Sequence, residues 1–205
     1  MASIYDLKPT FQSLLRPLTR ALFAAGVTAN QVTVAAALLS VAVGACIALF
    51  PTAPWPLLGL PAFLFVRMAL NAVDGMLARE HGQKSRLGAV LNEVGDVVAD
   101  TALYLPLALV PGFDARLVVL AATLAIITEL TGLVGLQIGA TRRYDGPMGK
   151  SDRAFAFGLF ALLASLGVPL APWLTPALGL VLFLLVVTIV HRARRALAAP
   201  AHPPL

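Results

Sequence analysis

Two long apolar stretches, joined by a short basic segment, decide the architecture of this chain. Residues 56–78 read PLLGLPAFLFVRMALNAVDGMLA, and residues 87–110 read LGAVLNEVGDVVADTALYLPLALV. Each is longer than the about 20 residues that an α-helix needs to cross a bilayer. Groups rich in Pro and Gly separate further apolar stretches, which lie at 31–50, 117–140, 155–170 and 174–190. The sequence therefore predicts an all-α integral membrane protein with six transmembrane helices.

The composition excludes several other classes of protein. Of the 205 residues, 59% are hydrophobic and 12% are charged, whereas soluble globular domains carry about 25% charged residues. The high hydrophobicity also excludes a disordered chain. A single cysteine, Cys46, excludes a disulfide scaffold and a cysteine-based zinc site. The net charge of +5 comes without a nucleic-acid-binding motif, so no nucleic-acid partner is expected.

The basic residues predict the orientation and the domain organisation. All 15 Lys and Arg residues except Arg67 and Arg116 lie before the first stretch or after the second, fourth or sixth. Because basic loops stay in the cytoplasm, both termini are expected on the cytoplasmic side of the inner membrane. The periodic apolar residues of 1–26 predict an amphipathic helix on the membrane surface. Residues 27–196 then form the six-helix domain, and 197–205 a disordered tail.

Polar side chains inside the predicted spans are the main functional signal. They comprise Arg67, Asn71 and Asp74 in the second span, Asn92, Glu93, Asp96 and Asp100 in the third, and Glu129 in the fourth. A charge near the bilayer centre costs at least about 2.5–3.5 kcal/mol, so such residues indicate function. Helical spacing puts Asn71 with Asp74 on one face and Asn92 with Asp96 on another. These faces are predicted to meet in a cavity open to the cytoplasm.

A deeper layer of charges is predicted beyond this cavity. Arg67 lies at a depth similar to that of Asp100 and Glu129 on neighbouring helices, by the rise of about 1.5 Å per residue. An unpaired buried charge is strongly destabilising. Arg67 is therefore predicted to pair with Asp100, Glu129 or both.

The ligand types in the cavity indicate phosphoryl chemistry. Oxygen ligands without His or Cys suit Mg²⁺, Mn²⁺ or Ca²⁺, and Mg²⁺ commonly binds one or two carboxylates together with substrate phosphates. Arg79, Lys84 and Arg86 follow at the expected mouth and would attract an anionic substrate. A carboxylate such as Asp96 can take a proton from an attacking hydroxyl.

The spacing of these residues resembles a known signature. Asn71-Ala-Val-Asp74-Gly75-Met-Leu-Ala78-Arg79, eight further residues, and then Gly88-Ala-Val-Leu-Asn92-Glu-Val-Gly-Asp96 resemble the pattern of the CDP-alcohol phosphotransferases, membrane phosphatidyltransferases of phospholipid synthesis. That pattern is Asp-x-x-Asp-Gly-x-x-Ala-Arg, about eight residues, and Gly-x-x-x-Asp-x-x-x-Asp. In this chain Asn71 and Asn92 replace the first and third aspartates, while Asp74 and Asp96 are kept.

The resemblance implies a reaction and a set of roles. A phosphatidyl group would pass from a CDP-alcohol such as CDP-diacylglycerol to an acceptor hydroxyl, with release of CMP. Asp96 would be the general base, and Asp74, Asn71, Asn92 and Asp96 would hold Mg²⁺ or Mn²⁺. One ion becomes more plausible than two, because two negative charges are missing. Asp74, Gly75, Ala78, Arg79 and Gly88 would surround the cytidine diphosphate, and a homodimer is expected.

Other assignments stay open at the level of sequence. In the basic segment 142–153, Lys150 and Arg153 are predicted to contact a phosphate of the acceptor or of a lipid. The acceptor alcohol, and which half of the CDP-alcohol is lipid, are not specified. The alternatives to an active enzyme are a catalytically silent homologue that binds a CDP-lipid or a partner, and a small transporter. The transporter is disfavoured because the acidic residues crowd the cytoplasmic half of the spans.

Overall fold

The chain is helical throughout the part described by the computed structural model, which covers the backbone of residues 4–199 and the side chains of residues 10–199. Seven α-helices follow one another without any strand in this part. They are α1 (Ile4–Ala24), α2 (Ala29–Leu49), α3 (Pro54–Glu80), α4 (Arg86–Tyr104), α5 (Ala115–Gln137), α6 (Lys150–Ser165) and α7 (Leu174–Leu197). Each predicted apolar stretch corresponds in order to one of α2–α7. From residue 200 onward, the tail lies outside the described residues.

Proline explains where the helix boundaries differ from the predicted stretches. α3 begins at Pro54, two residues before the predicted start, because proline is tolerated in a first helical turn. The third stretch is interrupted: α4 ends at Tyr104, and a 3₁₀-helix covers Leu105–Leu109. Pro106 lies in the first turn of that segment, and its missing N–H prevents the α-helical hydrogen bond from continuing.

Among the residues that the structure describes, four helices are long and apolar enough to cross a membrane. These are α2, α3, α5 and α7. α6 has 16 residues and so spans about 24 Å, which is shorter than a typical hydrocarbon core. α4 instead carries the polar and acidic residues of the third stretch. The all-helical membrane architecture therefore agrees with the sequence, with α4 as its most polar long helix after α1.

One compact unit contains the residues up to Ala42 together with Ala62–Ala99. Its core is formed by Ala29 and Val32 of α2 with Val73 and Leu77 of α3, and Leu15 and Leu22 of α1 pack against it. α1 is thus anchored along α3. Two other members of its predicted apolar stripe, Leu14 and Leu18, are exposed, as a helix lying on a membrane surface requires.

The start of α2 is fixed by a reciprocal cap. Thr28 Oγ1 accepts a hydrogen bond from the backbone N–H of Gln31 at 3.2 Å, and Gln31 Oε1 accepts one from the N–H of Thr28 at 2.9 Å. This is a capping box, which satisfies two backbone donors that the helix cannot. It fixes the residue at which α2 begins, just before Asn30 and Thr33.

The second unit contains Val43–Pro61 and, among the described residues, 100–199. Its core includes Leu107, Val118, Leu178 and Leu185, all fully buried. Tyr104 stacks on Phe157, with 4.4 Å between ring centroids. Gly44 lies against the backbone carbonyl of Ala102, so a side chain at position 44 would clash there.

Candidate active site

Asp74 is held by a hydroxyl on a neighbouring helix. Its side chain is buried, at 5% exposure, and Thr33 Oγ1 lies 2.8 Å from its Oδ2 and donates to it. A hydrogen bond to a buried carboxylate is stronger than one in water and fixes its orientation. Sequence reasoning did not select Thr33. Its position four residues after Ala29, on the face of α2 that turns toward α3, is the signal that could have found it.

Asn71 and Asp96 meet between α3 and α4. Asn71 Nδ2 donates to Asp96 Oδ1 at 3.3 Å. Arg67, one turn earlier on α3, approaches the same oxygen at 3.6 Å and donates to the Asp96 backbone carbonyl at 3.3 Å. The Asp96 side chain keeps 24% exposure. Two of the four predicted metal ligands are therefore in contact, and the predicted base is accessible.

The second amide, Asn92, lies one turn before Asp96 on α4 and is exposed. Glu93 beside it is half-buried. Within the described part of the chain, no group of three His, Cys, Asp or Glu side chains is close enough together to hold a metal ion. This follows from the two amide replacements, which leave Asp74 and Asp96 as the carboxylates of the signature.

The signature glycines allow close approach by polar side chains. The Arg79 guanidinium folds back over Gly75, so that a Cβ at Gly75 would lie 2.9 Å from its Nη2. A Cβ at Gly88 would lie 2.7 Å from Asn30 Oδ1 and 3.0 Å from Ser85 Oγ. The distances to Arg79 Nη2 and Asn30 Oδ1 are shorter than real Cβ contacts. These two glycines keep space in which Arg79 and Asn30 can reach the site.

Asn30 and Gln83 were not identified from the sequence as site residues. Asn30 lies in the first turn of α2, and its side chain reaches Gly88. Gln83, in the loop between α3 and α4, accepts a hydrogen bond from the backbone N–H of Ala29 at 2.6 Å and donates to the Val27 carbonyl at 3.5 Å. The loop that precedes Gly88 is thereby fixed to the start of α2.

A surface pair links α1 to the end of α3. Arg16 of α1 forms a two-point salt bridge with Glu80, at 3.0 Å and 3.2 Å. The hydrogen bond to Glu80, and then its negative charge, raise the pKa of Arg16. Nearby, Phe23 stacks on His81 with 4.2 Å between ring centroids. Both contacts link α1 to the end of α3.

A second group of charged residues lies in the other unit and centres on Arg153. Its side chain is fully buried, and its Nη2 lies 2.8 Å from both Asp100 Oδ2 and Glu129 Oε1. Arg142 Nη2 and Arg192 Nη1 approach the other oxygen of Glu129, Oε2, at 3.3 Å and 3.4 Å. We call these five residues the arginine cluster.

Further hydrogen bonds hold the arginines of this cluster in place. Arg153 Nη1 donates to Thr128 Oγ1 at 3.1 Å, and Arg192 Nη1 donates to the Thr128 carbonyl at 2.6 Å. Arg192 Nε also donates to the carbonyl of Asp145, in the loop before α6, at 3.1 Å. The cluster thus joins α4, α5, α6, α7 and this loop.

The cluster changes one sequence interpretation. Arg153 was predicted to contact a phosphate, but its fully buried guanidinium on the first turn of α6 pairs with Asp100 and Glu129. Sequence spacing could not assign these partners, because α5 and α6 are separated by a folded loop. Arg67 lies near Asp96, and its pairing with Asp100, Glu129 or both stays a prediction. Lys150, at the start of α6, is partly exposed.

Comparison with known proteins identifies the family. Residues 26–198 match the family described as CDP-alcohol phosphatidyltransferase. The chain belongs to this family. The match spans α2–α7, including both halves of the signature and the whole arginine cluster.

Two relatives of this CDP-alcohol phosphatidyltransferase cover most of its length. The inner membrane protein YnbA of Escherichia coli is 46% identical over 199 residues, which are 97% of this chain and 98% of the relative. The phosphatidylinositol phosphate synthase of Mycobacterium marinum is 30% identical over 190 residues, which are 89% of this chain and 77% of the relative.

Solved structures share the fold of this phosphatidyltransferase. The crystal structure of Mycobacterium tuberculosis phosphatidylinositol phosphate synthase with CDP-DAG bound superposes with a TM-score of 0.75 at 23% identity, over 90% of this chain and 94% of the other. A structure of the same protein in complex with manganese and citrate gives a TM-score of 0.74 over 90% and 89%.

The donor types of the signature suit a divalent cation. Asp74, Asp96 and Asn71 offer oxygen donors through their carboxylates and amide carbonyl, a set that suits Mg²⁺ or Mn²⁺. The hydrogen bond from Asn71 Nδ2 to Asp96 Oδ1 brings two of these side chains together. With fewer carboxylates than the family pattern, phosphate oxygens of a substrate would complete the coordination of a single ion.

Proposed function

We propose that this chain is an active inner-membrane phosphatidyltransferase that uses a CDP-alcohol as donor and releases CMP. The observation that carries this proposal is that the Asp96 carboxylate is both held by neighbours and accessible. The predicted base is contacted by Asn71 and Arg67 yet keeps a partly exposed carboxylate. Asp74, the other retained aspartate, is fixed by Thr33. A chain that only bound a CDP-lipid would need the Asp74 arrangement but no accessible base at Asp96.

Asp74, Asn71, Asn92 and Asp96 would hold Mg²⁺ or Mn²⁺ in this proposal. When bound, such an ion neutralises charge on the phosphates that bridge the cytidine and the lipid alcohol. Thr33 keeps one Asp74 oxygen engaged and so limits the directions in which that carboxylate can ligate. Asn71 can serve in two ways, because its amide N–H₂ donates to Asp96 while its carbonyl oxygen is a ligand type for the ion.

The cytidine diphosphate would lie along the signature residues. Gly75 and Gly88 leave room for a ligand to approach the backbone. Ala78 packs against the core formed by α2 and α3, which fixes this face of α3. The Arg79 guanidinium, already folded over Gly75, is in reach of a phosphate there. Its charge would stabilise the negative charge that develops on the departing CMP.

Asp96 would act as the general base. Its carboxylate takes the proton of the acceptor hydroxyl, and the oxygen attacks the phosphorus that carries the lipid alcohol. The bond from that phosphorus to the CMP oxygen then breaks. Asn71 and Arg67 hold the Asp96 carboxylate and backbone in place during this transfer. The product is the phosphodiester of the acceptor with the lipid alcohol.

We also propose the placement in the membrane. α2–α7 cross the inner membrane as six spans, both termini and the active site face the cytoplasm, and α1 lies on the inner leaflet. The basic residues between spans, the four long apolar helices and the name of the Escherichia coli relative support this placement. Lys150, partly exposed at the start of α6, is suited to contact a lipid phosphate. A homodimer is proposed from the family resemblance.

The second candidate function is a silent homologue that binds a CDP-lipid without turnover. It is favoured by one observation, the replacement of two signature aspartates by Asn71 and Asn92. Such a protein would keep metal-dependent CDP binding because Asp74, Arg79 and the two glycines are present. It would not release CMP.

The test is CMP release by the purified full chain in lipid nanodiscs. CDP-diacylglycerol is supplied with Mg²⁺ or Mn²⁺ and a panel of alcohols, and a working family member serves as positive control. We expect CMP release that falls by about 10²–10⁴-fold in Asp96→Asn and is unchanged in Glu80→Gln, an exposed carboxylate on α3 outside the site. Metal-dependent CDP binding without CMP from any alcohol would establish the silent homologue instead.

A further inference from the structure

The proposed function leaves the acceptor alcohol open, and the arginine cluster bears on its chemistry. The basic segment 142–153 was the predicted contact for an acceptor phosphate. In the structure, two of its arginines, Arg142 and Arg153, together with Arg192 surround a carboxylate of the protein itself. Glu129 uses Oε1 for Arg153 and Oε2 for both Arg142 and Arg192.

This arrangement is the one by which proteins bind a phosphate group. Planar guanidinium groups that converge on the oxygens of one anion are the preferred recognition of phosphate and carboxylate alike. Here Glu129 supplies the anion from the middle of α5, with 10% exposure of its side chain. Its backbone position on a packed helix prevents it from leaving the cluster by more than a rotamer change.

The charges of the cluster decide which ligands it tolerates. The five side chains that define the cluster, three guanidinium groups and the carboxylates of Asp100 and Glu129, sum to one net positive charge. A phosphate monoester brings about −1.5 to −2. Its binding would leave excess negative charge in a buried place, next to two carboxylates, which is strongly unfavourable. Replacing Glu129 by a neutral amide would leave two net positive charges, which a phosphate dianion could balance.

We propose that Glu129 is an internal anion that fills the arginine cluster and makes this enzyme select an acceptor alcohol without a phosphate group. The selection of an acceptor rests on the proposed function, because it presupposes the transferase reaction. The exclusion of phosphate from the cluster is a property of the folded protein and can be measured without turnover. Glu129 is therefore a specificity-determining residue, and Arg153 and Arg192 position it.

The first arm of the test compares matched acceptor pairs in wild-type protein. CMP release from CDP-diacylglycerol is measured with glycerol against glycerol 3-phosphate, and with inositol against inositol phosphate. We expect the unphosphorylated member of at least one pair to be preferred by about tenfold or more, and neither ester to be the best acceptor. A phosphorylated alcohol as the best acceptor would overturn the proposal.

The second arm measures thermal unfolding with inorganic phosphate, at ionic strength matched with chloride. Wild-type protein and the control Glu80→Gln should show no phosphate-dependent change in Tm. Glu129→Gln should be stabilised by phosphate, and it should accept phosphorylated alcohols better relative to their parent alcohols. Stabilisation of the wild type by phosphate to the same extent as the variant would contradict an internal anion.

The two arms separate the possible failures. If no acceptor releases CMP while phosphate acts only on Glu129→Gln, the proposed enzymatic function is wrong and the exclusion of phosphate by Glu129 stands. If Glu129→Gln does not fold, the wild-type protein still tests the proposal. A preference for phosphorylated acceptors, or stabilisation by phosphate, would contradict it. If Glu129→Gln folds and ignores phosphate, Glu129 is a structural counter-ion and the proposal fails.

Discussion

Thr33 Oγ1 on α2 lies 2.8 Å from Asp74 Oδ2 on α3. This hydrogen bond connects a helix outside the signature to the buried aspartate within it. It explains how one retained carboxylate can keep a fixed direction although two neighbouring aspartates have become asparagines. The first two turns of α2, which also present Asn30 toward Gly88, therefore belong to the site.

Removal of the Thr33 hydroxyl should weaken metal-dependent function while leaving the fold intact. Groups that orient a metal ligand contribute about 10–100-fold to metal affinity or activity. We expect Thr33→Val to raise the Mn²⁺ concentration needed for half-maximal CDP binding within this range, and Thr33→Ser to restore it. The measurement is CDP binding as a function of Mn²⁺. Equal loss in Val and Ser variants would assign Thr33 to packing alone.

Restoring the signature aspartates should strengthen metal binding. Asn71→Asp and Asn92→Asp each add a carboxylate to an oxygen site that is poor in negative charge, which favours a divalent ion. We expect half-maximal CMP release at lower Mn²⁺ in each variant. If the wild type releases none and the double variant does, the silent homologue is correct and the two amides are its cause.

A methyl group at Gly88 should obstruct the nucleotide site. The added Cβ in Gly88→Ala would meet Asn30 Oδ1 and Ser85 Oγ, so these side chains must move from their positions around the glycine. We expect a raised KM for CDP-diacylglycerol with a smaller effect on kcat. Gly179→Ala on α7 is the matched control, because nothing lies within 4 Å of its added methyl. Equal KM values in both variants would show that Gly88 does not lie at the nucleotide site.

Loss of Arg153 should destabilise the protein far more than loss of a surface arginine. Arg153→Met removes the counter-ion shared by Asp100 and Glu129, and breaking a buried pair costs about 3–5 kcal/mol. Arg153→Lys should recover only part of this, because an ammonium group lacks the planar fork that reaches two carboxylates. Thermal unfolding in nanodiscs measures the change. Arg16→Gln, which breaks an exposed salt bridge, should have a small effect; comparable losses in both would contradict the role of the cluster.

The helices and the signature face were predictable from the sequence because both depend on local spacing. Six apolar stretches gave the order of α2–α7, and helical periodicity put Asn71 on the side of α3 that meets Asp96. The partners of Arg153 were not predictable, because the choice among several charges depends on how distant helices pack. Asn30, Thr33 and Gln83 were missed for a related reason: each is an ordinary polar residue at a helix start or in a loop, and only its neighbours give it a role.

The side chain of Gln83 has a mechanical consequence. A single carboxamide contacts the backbone on both sides of Thr28, accepting from Ala29 and donating to Val27. The two loops at this end of the helices, α1 to α2 and α3 to α4, are therefore coupled and should move together. A substrate that displaced one loop would have to displace the other as well. We therefore expect a substrate to enter the site between the helices and not through the opening of one loop.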